Sequence, residues 1–285
     1  MSHTFYSQRI GTNPNIDGLE LKDTIDLFVR VFKQYQLDGY FDEAFGFNCV
    51  DNGFTNGYIK DVELDILLSI RKKFLWPIPE YALTYNEDDF LDMLEYLYQK
   101  ISKPIEGEMH SWGECGMHWK TFNKKDGQDE FLIKINLVLS HYKVKFELTE
   151  SGEVLHKPEK GFENIFSADI PSKDDNILKR INAATTSFRK HGANIDNKRQ
   201  AVRDLADVLE YLRPQVHDFL TTKDEKDIFI IANSFGIRHH NDKQKTNYDA
   251  VIWLSWMFYY YLSTIHVILR KMSCKNSQKN DSNNE

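Results

Sequence analysis

The chain has 285 residues, enough for one large domain or two, each able to bury a core without disulfide staples. Its 36 Lys and Arg against 43 Asp and Glu exclude a polycation that coats nucleic acid, but the net charge of −7 hides a split. Residues 1–165 carry 18 basic and 28 acidic side chains and residues 166–285 carry 18 and 15, so an acidic front precedes a mildly basic back. The opening MSHTFYSQRIGTNPN has no apolar run of signal-peptide length, so secretion is not expected. Cys49, Cys115 and Cys274 never form a CxxC pair, which predicts no disulfide framework and a reducing, cytoplasmic setting.

In chain order, 19–36 reads as an amphipathic helix with Leu21, Ile25, Phe28 and Phe32 on one face. The stretch 48–57 (NCVDNGFTNG) is turn-rich. Asp61 caps a helix that carries Leu64, Leu67, Leu68 and Phe74 and stops at Pro77 and Pro79. An acidic helix over 86–100 buries Phe90, Met93, Leu94 and Leu97. Residues 128–139 (QDEFLIKINLVL) fit a buried strand or a helix. Val144, Phe146 and Leu148 then alternate with charged residues before Glu150-Ser151-Gly152 and Val154-Leu155, a β-hairpin pattern. The Pro- and Gly-containing run 157–175 predicts a link between domains.

The back half reads as helical. Ile177, Ile181, Ala184 and Phe188 line one helix, and Asp196 starts another with Ala201, Val202, Leu205, Val208, Leu209 and Leu212 inward and Pro214 near its end. Asp224 begins a third helix ending near Phe235-Gly236, and Asn247 or Tyr248 opens the last. This pattern predicts an α+β chain: a mixed helical and β-hairpin domain over 1–160, an all-α antiparallel helical bundle over 170–272, and a polar tail, 273–285, without order of its own. Ala250 to Leu269 holds no Asp, Glu, Lys or Arg and is long enough to span a bilayer. Ser255, Tyr259, Ser263 and His266, however, fall within about 80° of arc, and a lone spanning helix would turn that polar stripe to lipid. A bundle helix whose stripe meets water or another polar face is therefore expected, with no membrane anchor.

The segment 233–244 (NSFGIRHHNDKQ) carries the strongest chemical pattern. Arg238 offers a planar fork for phosphate oxygens, and His239 and His240 titrate near neutral pH. RNA brings its own nucleophile, the ribose 2′-OH. A metal-free ribonuclease then needs little beyond a general acid or base and a cation for the pentavalent transition state. Asn233, Asn241 and Lys243 stand beside these residues as RNA contacts. The plainer alternative is a triplet that caps helices and pairs with acids in a bundle loop. Arg189, Lys190, His191, Lys198, Arg199 and Arg203 form a basic stretch. This stretch, Arg199 and Arg203 included, would track a phosphate backbone if folding brings it in front of 238–240; otherwise, with Asp204, Asp207 and Glu210 following, it belongs to a solvated face.

His110, Cys115 and His118 offer three zinc ligands, with Glu108 or Glu114 as a fourth, yet only Cys115 and His118 make a close pair. Trp112, Trp119, Gly113 and Gly116 point instead to a turn packed by aromatics, so no metal and no cofactor is expected. No GxGxxG, GxxxxGK, GxSxG or HExxH motif is present, which argues against nucleotide hydrolysis, serine hydrolysis and zinc proteolysis.

Through KRQAVRDLADVLEYLR (198–213), KDEKDIFIIANSFGIRHHNDKQKTNYD (223–249) and WLSWMFYYYLSTIH (253–266), the back half resembles the HEPN domain of the AbiJ-type abortive-infection proteins of bacteria. The front resembles an AbiJ amino-terminal domain through FYSQRIGTNPN (5–15), the acidic helix near 86–100 and INLVLSHYKVKFELTESGEVL (135–155). Together these cover most of the chain, and the carboxy-terminal likeness is the more specific. The resemblance implies a helical bundle that dimerises and a metal-independent endoribonuclease in anti-phage defence, in which the 2′-OH attacks in line and leaves a cyclic phosphate and a 5′-OH. It also implies an Arg, a polar residue after it, and a His about five positions on. Arg238 and His239 match the first two, Lys243 stands at the third, and His240 lies nearer. Catalysis by Arg238 with His239 or His240 is one expectation, and a non-catalytic RNA-binding or dimerising HEPN module is the other. The partners implied are host or phage RNA, tRNA-like RNA included, a second copy of the chain, and a phage trigger or antitoxin. Trp253, Trp256, Phe258 and Tyr260 supply an aromatic surface for the dimer.

Overall fold

The computed structural model describes residues 4–166, 168–216, 221–234, 237 and 249–282. The chain is α+β, with long helices and, among the described residues, three two-stranded sheets. It divides into two compact units, Met1–Leu155 and His156–Glu285.

The first unit opens with α1 (Tyr6–Arg9), α2 (Leu21–Leu37) and α3 (Asp42–Phe45), then the hairpin of β1 (Phe47–Cys49) and β2 (Gly53–Thr55). Next come α4 (Val62–Ile70), α5 (Ile78–Tyr81), α6 (Glu87–Lys100), the hairpin of β3 (Lys103–His110) and β4 (Gly116–Asn123), α7 (Lys124–His141), β5 (Phe146–Leu148) and β6 (Val154–His156), whose last residue, His156, counts with the second unit. Ile25, Phe28 and Phe32 recur at helical spacing on α2 and are buried, as their pattern predicts. A capping box starts α6: the Asp89 amide donates to Asn86 Oδ1 at 2.8 Å, and the Asn86 amide donates to Asp89 Oδ2 at 3.2 Å. The ambiguous run 128–139 is helical, because Asn123 caps α7 and Phe131, Ile135, Val138 and Leu139 then face the core at helical spacing. Phe28, Phe32, Phe90, Phe131 and Phe146 meet in that core. Full burial of each such ring is worth about 1.5–3 kcal/mol. The side chain of Asn136 splices the β5 edge to α7, accepting from the Leu148 amide and donating to its carbonyl.

Two local expectations change. α4 ends at Ile70, well before Pro77, because Arg71 takes a left-handed conformation (φ 63°). Only Ile66 of α4 is buried, and Leu64, Leu68 and Phe74 are exposed while Leu75 and Ile78 reach the core. The β3–β4 hairpin has no counterpart in the sequence pattern. Its strands hold Pro104, Gly107 and scattered charges in place of apolar alternation, and none of its residues is buried.

The second unit comprises α8 (Glu163–Phe166), α9 (Asp175–Arg189), α10 (Ile195–Val216), α11 (Thr222–Ser234) and α12 (Ala250–Ser282). α10 packs against α9, α11 and α12, and Ala201, Val202, Leu205, Val208, Leu209 and Leu212 all lie in the core. Asp249 caps α12 by accepting from the Val251 and Ile252 amides at 3.0 and 3.1 Å, a residue or two later than the pattern suggests. The run 157–175 is not a free link: Phe162 stacks on Tyr259 at 4.0 Å between centroids, and Phe166 stacks on Phe258. α12 also runs on to Ser282, into the polar segment predicted to lack order. Extending an existing helix requires no new nucleus, so poor composition alone does not end it.

The polar stripe of α12 does not meet water as a whole. Ser255, Tyr259 and His266 are buried and only Ser263 is exposed, because apolar residues occupy so much of the circumference that the core arc takes in the stripe. The Ala250–Cys274 stretch is, among the described residues, the one helix long and apolar enough to cross a membrane, and 56% of its most apolar window is buried inside the protein. It is the core helix of its unit.

Candidate functional site

Arg238, His239, His240, Asn241 and Lys243 lie outside the described residues. Asn233 falls in the last turn of α11, and its side chain is outside them too. The basic stretch is described, and it splits in three. Arg203, on the third turn of α10, donates from Nε to the carbonyl of Ile237 at 2.6 Å and reaches Gln200 Oε1 from Nη1 at 3.4 Å. Ile237 itself is fully buried in the core of the second unit. The residue just before Arg238 is therefore pinned between an apolar anchor and a guanidinium. Arg199 pairs with the exposed Asp196 at 3.0 Å. A surface pair of this kind is worth little, so a phosphate can take Asp196's place at small cost.

Arg189 is not available to RNA. It is buried, donates from Nε to the His156 carbonyl at 2.9 Å and lies 4.9 Å over the Phe166 ring. Lys198 lies over the Phe188 ring at 5.4 Å. Beside these residues is a cavity of about 430 Å³ lined in part by His156, Lys157, Lys190 and Lys198. His191 Nδ1 is 3.3 Å from His156 Nε2. The neighbouring lysines give the cavity a positive rim suited to an anion. Sequence reasoning missed His156, since nothing in the pattern joins the end of a hairpin to the end of α9.

In the first unit, the turn 111–115 is not packed by aromatics: Trp112 is 73% exposed. Trp119 lies instead over Gly39, where a Cβ would come within 2.4 Å of the indole. Nor do the carboxylates join the cluster. Glu108 is taken by Lys120, whose ammonium holds its carboxyl below the usual range, and Glu114 is exposed in a left-handed turn. The partner that His110, Cys115 and His118 do meet is Cys49, from the β1–β2 hairpin. Ligand atoms of all four lie within 4.8 Å of one another. No spacing rule links Cys49 to His110 across 61 positions, so only tertiary structure could reveal it.

Comparison with protein-family models, with curated proteins and with solved structures returns no match.

Proposed function

We propose that the second unit is a HEPN-like bundle that binds RNA and cleaves it without a metal, in a cytoplasmic bacterial anti-phage protein of the AbiJ type. The observation that carries this reading is the Arg203–Ile237 hydrogen bond, which ties the basic helix α10 to the residue that precedes Arg238-His239-His240. An RNA site needs basic residues gathered near one another, and this bond fixes a basic residue of α10 at the residue next in sequence to Arg238. In this reading Arg238 neutralises the pentavalent phosphate, His239 or His240 moves the proton of the 2′-OH, and Arg199 and Arg203 hold the flanking backbone. The products are a cyclic phosphate and a 5′-OH. The first unit senses a phage trigger or restrains the nuclease, alone or with an antitoxin.

Dimerisation through α12 belongs to the same proposal. Trp253 and Trp256 remain exposed, and Trp256 stacks on the half-buried Tyr260 at 5.6 Å. Phe258 takes no part in such a surface, because it lies in the core stacked on Phe188. The test is purified full-length protein incubated with total tRNA, without added metal and again with EDTA, with the new ends mapped. Cyclic phosphate ends that disappear in Arg238→Ala and His240→Ala are expected. No cleavage by the wild type, or equal cleavage by both variants, overturns catalysis. Lys243 at the expected His position favours a second reading, a non-catalytic HEPN module, which predicts RNA binding without cleavage.

A further inference from the structure

We propose that Cys49, His110, Cys115 and His118 hold one zinc ion that clasps the two hairpins of the first unit together. Cys49 Sγ lies 3.8 Å from His110 Nδ1, and Cys115 Sγ lies 3.1 Å from His118 Nε2. A tetrahedral zinc with Zn–S near 2.3 Å and Zn–N near 2.0–2.1 Å sets its ligand atoms roughly 3.3–3.8 Å apart. The quartet, all within 4.8 Å, thus needs only small side-chain rotations to close on an ion.

The backbone explains how residues so far apart in sequence converge. Cys49 ends β1, and Asp51 follows in the turn. His110 ends β3, opposite Gly116, while His118 lies opposite Glu108. The two histidines are therefore diagonal neighbours on one face of the hairpin, with ring centroids 4.9 Å apart. Left-handed conformations at Gly113, Glu114 and Gly116 turn the chain tightly enough to bring Cys115 back beside them. The hairpins touch here: Cys115 Sγ lies 3.9 Å from the Asn48 carbonyl, and Phe47 packs on the His118 ring.

A second, independent feature points the same way. His110 Nε2 lies 3.1 Å from Asp51 Oδ2. A carboxylate on the far nitrogen of a ligating imidazole fixes its tautomer and aims the near nitrogen at the metal. One short hairpin thus supplies a ligand, Cys49, and the group that orients another. Mixed thiolate and imidazole donors in tetrahedral array select zinc among the common ions. Two thiolates balance the charge of Zn²⁺, which suits a half-buried site. Four protein ligands leave no open position for water or substrate, so the role is structural. The hairpin needs such a role filled, because an isolated pair of strands with no buried residue is marginal in water. Binding releases the two thiol protons, and no electron is transferred.

The site stands in the other unit from the RNA reading, so either can fail alone. Untagged full-length protein, purified in reductant, should contain about one zinc per chain by elemental analysis. Replacing zinc with Co²⁺ should give the visible bands of tetrahedral cobalt and a near-ultraviolet thiolate charge-transfer band. Cys49→Ser and His118→Asn should lose the metal, and Cys274→Ser should keep it. Asp51→Asn, which leaves every ligand in place, should weaken zinc affinity about 10- to 100-fold. Metal-free wild type with an octahedral cobalt spectrum overturns the proposal. So does unchanged zinc content in Cys49→Ser, or a Cys49–Cys115 disulfide in protein alkylated at lysis.

Discussion

Between Lys103 and Asn123 no residue is buried, whereas Leu254, Met257, Phe258, Tyr261, Leu262, Ile265, Ile268 and Leu269 of α12 all lie in a core. The helix shares its stabilisation among many apolar contacts, each replaceable in part by its neighbours. The hairpin has its ladder, a few surface ion pairs and the four converging heteroatoms at its tip. The first kind of element should weaken in proportion to what is removed; the second should hold or fail as a unit.

The largest effect expected from breaking this contrast is in α12. Phe258→Ala removes a ring stacked 3.9 Å from Phe188 and should cost about 3–5 kcal/mol in denaturant unfolding. The equivalent cut in the hairpin, Trp112→Ala, should stay within about 0.5 kcal/mol, since that ring is mostly in water. Cys49→Ser sharpens the comparison from the other side. Hydrogen exchange should show protection lost across 103–123 together, while α6 and α7 keep theirs. Below the Phe258→Ala effect, Arg203→Ala should cost about 1.5 kcal/mol, the lower end for a hydrogen bond with a charged donor, and on the proposed function it should weaken RNA binding. Arg199→Ala should leave stability unchanged and, on the proposed function, reduce the salt slope of RNA binding by about 1.

The smallest effect is a pH dependence of the second unit. Burial, and then the charge of Arg270, hold the His266 imidazole below its ordinary value of 6.5, and its Nδ1 has no partner among the described residues. The folded state therefore binds this proton less readily than the unfolded state. The contribution to stability is whole above 6.5, declines as pH falls through that value, and is fully lost below the folded-state pKa. His266→Leu should flatten the melting temperature between pH 7 and pH 5. An unchanged slope would show that other groups govern it.

How much could be read without coordinates differs between the same two regions. Ile177, Ile181, Ala184 and Phe188, or Leu205, Val208, Leu209 and Leu212, announce their helices because burial on one side of a helix imposes its period on the sequence. The β3–β4 hairpin buries nothing and so writes no such period; its register is set by backbone pairing and tight turns. The tail of α12 and the run 157–175 misled for a related reason. Polar or Pro- and Gly-containing composition reports what a segment lacks, while Phe162 and Phe166 find their partners on α12 only after folding.

By itself, then, the sequence determined the α+β class, the split between an acidic front and a basic back, and the inward faces of the long helices. These follow from local period, capping and charge, all carried by residues a few positions apart. Tertiary structure decided which distant atoms meet: Arg203 at the carbonyl of Ile237, Arg189 withdrawn into the interior, and Cys49 beside His110, Cys115 and His118. Such contacts span tens of residues, and no local pattern encodes them, because they are fixed by how whole elements pack rather than by the spacing of side chains along one of them.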